Sequence, residues 1–292
     1  MKRDINTWMR KIALGTVQFG LDYGISNKTG KISVTEAESI LDFASHSGVN
    51  TLDTAAAYGS SETTLGRIIT DKPYRFELIS KLPTGVTPNR FREALQQSLT
   101  RLQVPHLHGY LAHNFSGFQN QEVRQAFRQA KECGLIHKIG VSVYYPQEVR
   151  WLLDENVIPD IIQLPFNVFD QRFRELFSEI KANHTEIHAR SIFLQGLFFM
   201  PVKKLSSHFD PVKEKLKAMQ QLGERIPLSA LLLNHAIMQN DIDKVVIGVT
   251  GLQELQENLR AVEYFDTENE VYQTLDEFTV TDEQIILPMH WS

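Results

Sequence analysis

The sequence predicts an α/β fold, a single-domain (β/α)8 TIM barrel, on two observations. Eight short apolar runs alternate with segments of helical periodicity, and most runs start about 20–30 residues apart, the length of a strand plus a covering helix. No internal repeat, low-complexity linker or change of composition divides the chain. Alternating strand and helix units with short connections favour a closed parallel barrel over residues 1–292, with a C-terminal tail from about 262 to 292.

The eight apolar runs define the candidate strands. A doubly wound sheet is the structural alternative, and it would require a glycine-rich turn after the first strand. Residues 15–20, GTVQFG, do not match G-x-G-x-x-G, so a dinucleotide site of that kind is unsupported. The predicted strands are residues 11–15, 50–53, 76–81, 109–113, 138–142, 160–163, 187–191 and 244–248.

Helix signals lie between these runs. Thr35-x-x-Glu38 has the pattern of a capping box, and Tyr145-Pro146 and Ile226-Pro227 suit the start of two further helices. Cys133 follows apolar residues at helical spacing, so we expect it on a buried face, as a packing residue.

Composition argues against several classes of protein. The net charge is −5 and no dense Lys/Arg run occurs, so no nucleic-acid partner is expected. A single cysteine excludes an intramolecular disulfide. No signal peptide or long apolar stretch is recognisable, which predicts a cytoplasmic protein without a membrane partner. We expect a monomer or homodimer.

Metal and hydrolase chemistry find little support. His106-x-His108 and the pair His184 and His188 lack a carboxylate or cysteine partner at a characteristic spacing, so no metal is expected. No Gly-x-Ser-x-Gly elbow occurs, which argues against a serine hydrolase.

Ionisable residues end three successive strands. The second strand ends at Asp53, the third at Lys81 and the fourth at His113, and Tyr58 follows Asp53 in the next loop. Each has an ordinary structural explanation by itself, such as a salt bridge, a hydrogen-bonded histidine or a turn. Because the carboxyl ends of barrel strands meet at one mouth, their joint occurrence favours a site.

These four side chains suit proton transfer to an oxygen that gains negative charge. The ordinary pKa of tyrosine is about 10, and the Lys81 ammonium would lower the pKa of Tyr58. Asp53 would keep the lysine charged and in place, and His113 can donate a hydrogen bond to a carbonyl oxygen. Tyr58 is therefore the candidate general acid. Hydride must come from a cofactor, because no side chain supplies it.

Several segments, in order along the chain, carry a family pattern: Leu52-Asp53-Thr54-Ala55 with Tyr58-Gly59, Ile79-Ser80-Lys81, Tyr110-Leu111-Ala112-His113, Gly140-Val141-Ser142 and Gln163-Leu164-Pro165-Phe166-Asn167. With them the chain resembles the aldo-keto reductase superfamily over about residues 14–259. The resemblance implies a TIM barrel that reduces an aldehyde or ketone, ketosugars included, with Tyr58 as general acid assisted by Lys81, Asp53 and His113.

The resemblance also implies an extended NADP(H) or NAD(H) across the barrel mouth. Backbone amides near Leu252 would suit one of its phosphates. By position, the cofactor-binding residues would be Thr16, Asp53, Ser142, Gln163, Arg190, Ser191, Gly248, Thr250, Gln256 and Asn258.

The sequence departs from the family pattern in three places. Arg190 stands where an aromatic residue often stacks on the nicotinamide, and its charge would disfavour the oxidised, cationic ring. Val143 stands where an asparagine is common. No Lys or Arg directly follows the eighth strand to bind a 2′-phosphate, although Arg260 lies one or two turns on. The choice between NADP(H) and NAD(H) therefore stays open.

The expected substrate is a small-molecule carbonyl compound. Phe19, Tyr23, Asn114 and Phe115 are its candidate contacts, and further aromatic residues at the mouth would stack on it or merely seal the barrel. The tail could fold over the mouth or pack elsewhere. Two other functions remain open: a regulatory subunit that binds the cofactor with little turnover, as in potassium-channel β subunits, and a lyase or isomerase that uses Lys81 as a Schiff-base amine.

Overall fold

Eight parallel strands close into a barrel in the order of the chain, β1 to β8, as the sequence predicts. The computed structural model describes residues 5–265 and 270–291. Each predicted strand is present, with both bounds within two residues of those expected. The strands are β1 Ile12–Gly15, β2 Thr51–Asp53, β3 Glu77–Leu82, β4 Leu107–Ala112, β5 Ile136–Ser142, β6 Ile161–Pro165, β7 Glu186–Arg190 and β8 Ile242–Gly248.

The interior of the barrel has an apolar layer below a polar one. Ile79, Leu111 and Ile161 form a small buried cluster, separate from the large core between strands and helices. Side chains on a strand alternate between its two faces. The residues two positions later, at the carboxyl ends of the same strands, therefore also face the interior: they are Lys81, His113 and Gln163.

Thirteen α-helices lie in the described part of the chain. Short 3-10 turns add to them, and one of these, Leu194–Phe199, lies in the loop after β7. The helices are α1 Ile5–Lys11, α2 Val34–His46, α3 Ser61–Ile69, α4 Phe91–Leu102, α5 Phe115–Gln119, α6 Gln121–Glu132, α7 Pro146–Asp154, α8 Phe177–Ala182, α9 Lys213–Leu222, α10 Leu228–Ile237, α11 Leu252–Leu259, α12 Glu270–Thr274 and α13 Glu283–Ile286.

Two local predictions are wrong. The N-cap of α2 is Ser33, whose Oγ accepts a hydrogen bond from the amide of Glu36, so the helix begins before the expected Thr35. Glu38 instead forms a salt bridge with Lys72. Cys133 is exposed, because it caps the C-terminus of α6 beyond the face that packs inward.

The C-terminal segment packs on the outside of the barrel, near the loop after β6. The amide of Val280 donates to the carbonyl of Phe169, and Asp276 pairs with Arg174. None of residues 270–291 lines the cleft at the barrel mouth. No helix among the described residues is long and apolar enough to cross a membrane.

The contact between α3 and α4 depends on a glycine. A Cβ on Gly66 would lie 2.2 Å from the carbonyl oxygen of Arg101. We expect Gly66→Ala to destabilise the fold by about 1–2 kcal/mol, because overpacking outweighs the gain of ~1 kcal/mol in helix propensity. Thermal unfolding followed by circular dichroism measures this. Thr63→Ala, at an exposed position of α3, is the control, and a Gly66→Ala protein that melts at or above the wild type would contradict the expectation.

Candidate active site

A cleft of about 320 Å³ opens at the carboxyl ends of the strands. The residues predicted to carry chemistry from β2, β3 and β4 all line it, as do residues from β5 to β8. The predicted site residues on its walls are Thr16, Tyr23, Asp53, Tyr58, Lys81, His113, Ser142, Gln163, Arg190, Ser191, Gly248 and Thr250.

The base of the cleft holds a buried ion pair between Lys81 and Asp53. Their side chains are 1% and 4% exposed, and Nζ lies 2.5 Å from Oδ1. Lys81 also donates to the carbonyl of Thr54 at 3.0 Å. The second carboxylate oxygen, Oδ2, accepts from Nε2 of Gln163 at 2.8 Å, which ties β6 to β2 across the barrel.

The lysine stays charged in this setting. Burial works against the ammonium, but the Asp53 carboxylate and the nearby Tyr58 favour it, and the pKa of Lys81 is raised above its ordinary value. A fixed positive charge therefore lies below the tyrosine ring, with Nζ 5.1 Å from the centroid of Tyr58.

Two glycines set the position of Tyr58. A Cβ on Gly20 would lie 1.7 Å from the carbonyl oxygen of Tyr58, so no larger residue fits there. Gly59 has a φ of +56°, a region that favours glycine. The ring of Tyr58 then meets that of His113 edge to face, with centroids 5.8 Å apart.

The expected lowering of the tyrosine pKa is not what the structure shows. Burial raises the pKa of Tyr58, although Lys81 acts in the opposite direction. Desolvation of a phenolate between the cleft walls outweighs the attraction of the ammonium. Tyr58 is accordingly a neutral phenol at physiological pH, with a proton to give.

His113 is neutral as well. Burial first, and then the charge of Lys81, lower its pKa to about 4. Its Nδ1 is buried and has no hydrogen-bond partner among the described residues. A neutral imidazole can still donate one N–H bond into the cleft.

Arg190 forms a second fixed cation, at the end of β7. Its guanidinium lies 4.1 Å from the ring centroid of Tyr144. It donates to the carbonyl of Val143 at 3.0 Å and to Oγ of Ser191 at 3.2 Å. Three contacts hold the plane of the guanidinium on the wall of the cleft.

The loop after β1 reaches across to the loop after β7. The amide of Ile25 donates to the carbonyl of Gln195 at 3.1 Å. Gly196 has a φ of +88°, and a Cβ there would lie 1.8 Å from Oγ of Ser26. Ser191 and Gln195 also have positive φ values, of 63° and 52°. The chain is therefore strained where it bridges the cleft.

The phosphate position expected near Leu252 is occupied by carboxylates of the protein itself. The amide of Leu252 donates to Oε1 of Glu36 at 2.6 Å. The amide and hydroxyl of Thr250 both donate to Oε2 of Glu254 at 2.7 Å. The start of a helix leaves amides unpaired, and here carboxylates of the protein accept from donors at that position.

Five of the predicted residues lie away from the cleft walls. Phe19 is 1% exposed within the core, and Phe115 packs against Trp151. The side chain of Asn114 accepts from the amide of Gly117 and caps α5. The other two, Gln256 and Asn258, lie further along α11.

Sequence reasoning missed several residues of the cleft. Glu254 lines it, as do Gln18, Tyr144 and Phe193. An acidic residue in the first turn of the helix after β8 was the available signal for Glu254. Nothing in the sequence marked Tyr144, because its role depends on its packing against Arg190. No group of three or more His, Cys, Asp or Glu side chains in residues 5–265 and 270–291 is placed to hold a metal ion.

The comparisons with known proteins agree with the fold. The model of the Aldo/keto reductase family matches residues 11–279. A barrel with this polar mouth and a family match over most of its length define an oxidoreductase class. The chain belongs to the Aldo/keto reductase family.

Its relatives are distant. The chain is 26% identical over 279 residues to "Uncharacterized oxidoreductase YqkF" of Bacillus subtilis (strain 168), covering 87% of this chain and 91% of the other. It is 23% identical to the NADH-specific methylglyoxal reductase of Escherichia coli (strain K12), covering 77% and 82%. The holo form of aldo-keto reductase AKR11C1 from Bacillus halodurans has the same fold, with a TM-score of 0.75, 23% identity and coverage of 94% and 95%.

The low pKa of His113 predicts a dependence of stability on pH. Between about 4 and about 6.5 the unfolded histidine binds a proton that the folded one does not, so stability falls as the pH falls through this window. On going from about pH 7.5 to about pH 5, we expect wild type to lose about 2 kcal/mol more free energy of unfolding than His113→Gln.

Urea unfolding at the two pH values measures both losses. The circular dichroism spectra at the higher pH verify that the two proteins share one fold. Equal losses in wild type and variant would contradict the assigned burial of the imidazole.

Proposed function

We propose that this protein is an NADP(H)- or NAD(H)-dependent reductase of small aldehydes or ketones. The observation that carries the proposal is the buried Lys81–Asp53 pair beneath a protonated Tyr58 and a neutral His113. A general acid, a fixed cation and a hydrogen-bond donor on one wall suit an oxygen that gains charge.

The cleft has features that fit a nicotinamide dinucleotide. Gly248 lines it without a side chain, and a Cβ there would lie 2.9 Å from the amide of Gln18. Oε1 of Gln18, which also lines the cleft, is buried and has no partner among the described residues. Buried polar groups without partners are rare, and a bound cofactor would satisfy this one.

Other residues would hold the cofactor along its length. Ser142 and Gln163 would contact the carboxamide, Arg190 and Ser191 the ring and the pyrophosphate, and Thr250 the adenosine end. When bound, the reduced nicotinamide supplies a hydride to the carbonyl carbon.

Side chains of this protein carry out the proton transfer. Tyr58 donates its phenolic proton to the carbonyl oxygen, so that hydride and proton together yield the alcohol. Lys81 stabilises the charge that remains on the phenolate, and Asp53 keeps the ammonium in place. His113 donates a hydrogen bond that orients the carbonyl. Tyr23 and the partly exposed Phe199 line the cleft and would contact the rest of a small substrate, sugars included.

Replacing the general acid tests the chemistry. We expect Tyr58→Phe to lower kcat for a reduced carbonyl substrate by about 10²–10⁴-fold, because the ring stays but the proton donor is lost. The affinity for the reduced cofactor, measured by calorimetry, should stay within a few-fold. Tyr264→Phe, at an exposed tyrosine, is the control.

Three outcomes would refute parts of the proposal. Full activity of Tyr58→Phe would remove the general acid. Tight cofactor binding by wild type without turnover of any carbonyl in a broad panel would favour a regulatory subunit, and a substrate trapped on Lys81 by borohydride would favour a lyase.

Arg190 offers a second test at the same site. Its fixed charge should disfavour the oxidised, cationic ring relative to the reduced one. We expect Arg190→Tyr to shift the ratio of the two affinities by about tenfold in favour of the oxidised form. Calorimetric titration with each form measures the ratio, and an unchanged ratio would show that Arg190 does not act on the ring.

A further inference from the structure

The end of the cleft at β8 is acidic. This far end consists of Gly248, Thr250 and Glu254, all of which line the cleft. In the closed eight-stranded ring β8 lies opposite β4, the strand that leads to His113. Tyr58 and Glu254 line the same cleft, so a dinucleotide with its nicotinamide beside Tyr58 would have room for its adenosine beside Glu254.

Two carboxylates occupy the start of α11 from two directions. Glu254, in the first turn of the helix, accepts both bonds from Thr250 on Oε2. Its Oε1 has no hydrogen-bond partner in the described ranges. Glu36, on α2, accepts from the amide of Leu252, and a Cβ on Gly251 would lie 3.2 Å from its Oε1. The far end thus presents negative charge where the helix dipole would otherwise attract anions.

No cation offsets these charges within the cleft. Among the described residues that line the cleft, the Lys and Arg side chains are those of Lys81 and Arg190. Lys81 lies beside the reacting groups, and the guanidinium of Arg190 packs on the ring of Tyr144. Arg260 follows the last residue of α11. Arg260 is six residues beyond Glu254, about 9 Å along the helix axis, so its backbone lies near the opposite end of α11 from a group bound beside Glu254.

We propose that Glu254, supported by Glu36, makes this cleft selective for NAD(H) against NADP(H). A carboxylate accepts a hydrogen bond from the ribose 2′-hydroxyl and repels a 2′-phosphate. The inference rests on the proposed function, because it assumes that a nicotinamide dinucleotide occupies the cleft. Glu254 is a specificity-determining residue in this scheme and takes no part in hydride or proton transfer.

Both carboxylates could serve only as helix caps, and the experiment must separate the two roles. Glu254→Gln keeps an oxygen acceptor for Thr250 but removes the charge. Glu257→Gln removes the same charge from an exposed position of α11 and is the matched control. A pure capping role would change stability in Glu254→Gln without changing the choice of cofactor.

Calorimetric titration with NADH and NADPH gives dissociation constants without reliance on turnover. We expect wild type to bind NADH at least about tenfold more tightly than NADPH. In Glu254→Gln the ratio should fall by about tenfold, chiefly through tighter NADPH binding, whereas Glu257→Gln should keep the wild-type ratio.

The outcomes distinguish the two proposals. Equal or tighter binding of NADPH by wild type, or an unchanged ratio in Glu254→Gln, would overturn the selectivity while leaving the reductase intact. Binding of neither cofactor to folded protein would overturn both. If Glu254→Gln fails to fold, the wild-type ratio in low and high salt decides, because added salt should narrow an electrostatic discrimination.

Discussion

Burying an ammonium and a carboxylate inside a barrel costs several kcal/mol per ion unless both are well paired. Lys81 and Asp53 meet this condition through each other, the carbonyl of Thr54 and the amide of Gln163. The partners come from β2, β3 and β6, so the full set of contacts forms only when the barrel brings β6 opposite β2. The Lys81 ammonium then acts on Tyr58 and His113, which line the same cleft, and the Asp53 carboxylate opposes it in part.

The position of Tyr58 depends on the backbone around it. The close approach of Gly20 and the left-handed Gly59 fix the turn. Below that turn, Oγ of Ser61 donates to the carbonyl of Thr16 at 2.8 Å and joins the start of α3 to the end of β1. Hydrogen bonds beneath the loop hold the proton donor at a fixed distance from the atom that receives the proton.

The charged side chains at the two ends of the cleft have opposite signs. Near the reacting groups, Lys81 and Arg190 are positive side chains held in place by Asp53 and the carbonyl of Thr54, and by Tyr144 and the carbonyl of Val143. At β8, Glu254 and Glu36 satisfy amides that elsewhere bind phosphate. The same physics of helix starts can therefore attract an anion or replace it with a carboxylate of the chain, and only the fold shows which applies.

The sequence by itself determined the barrel and the residues at the ends of its second, third and fourth strands, because strand periodicity and chain order place Asp53, Lys81 and His113 at one mouth. The tertiary structure decided the features that depend on how side chains pack together. Burial reversed the expected direction of the Tyr58 pKa, and it removed Phe19 from the cleft into the core. Glu36 reached α11 across 216 positions of sequence, a contact between distant helices that no local pattern encodes.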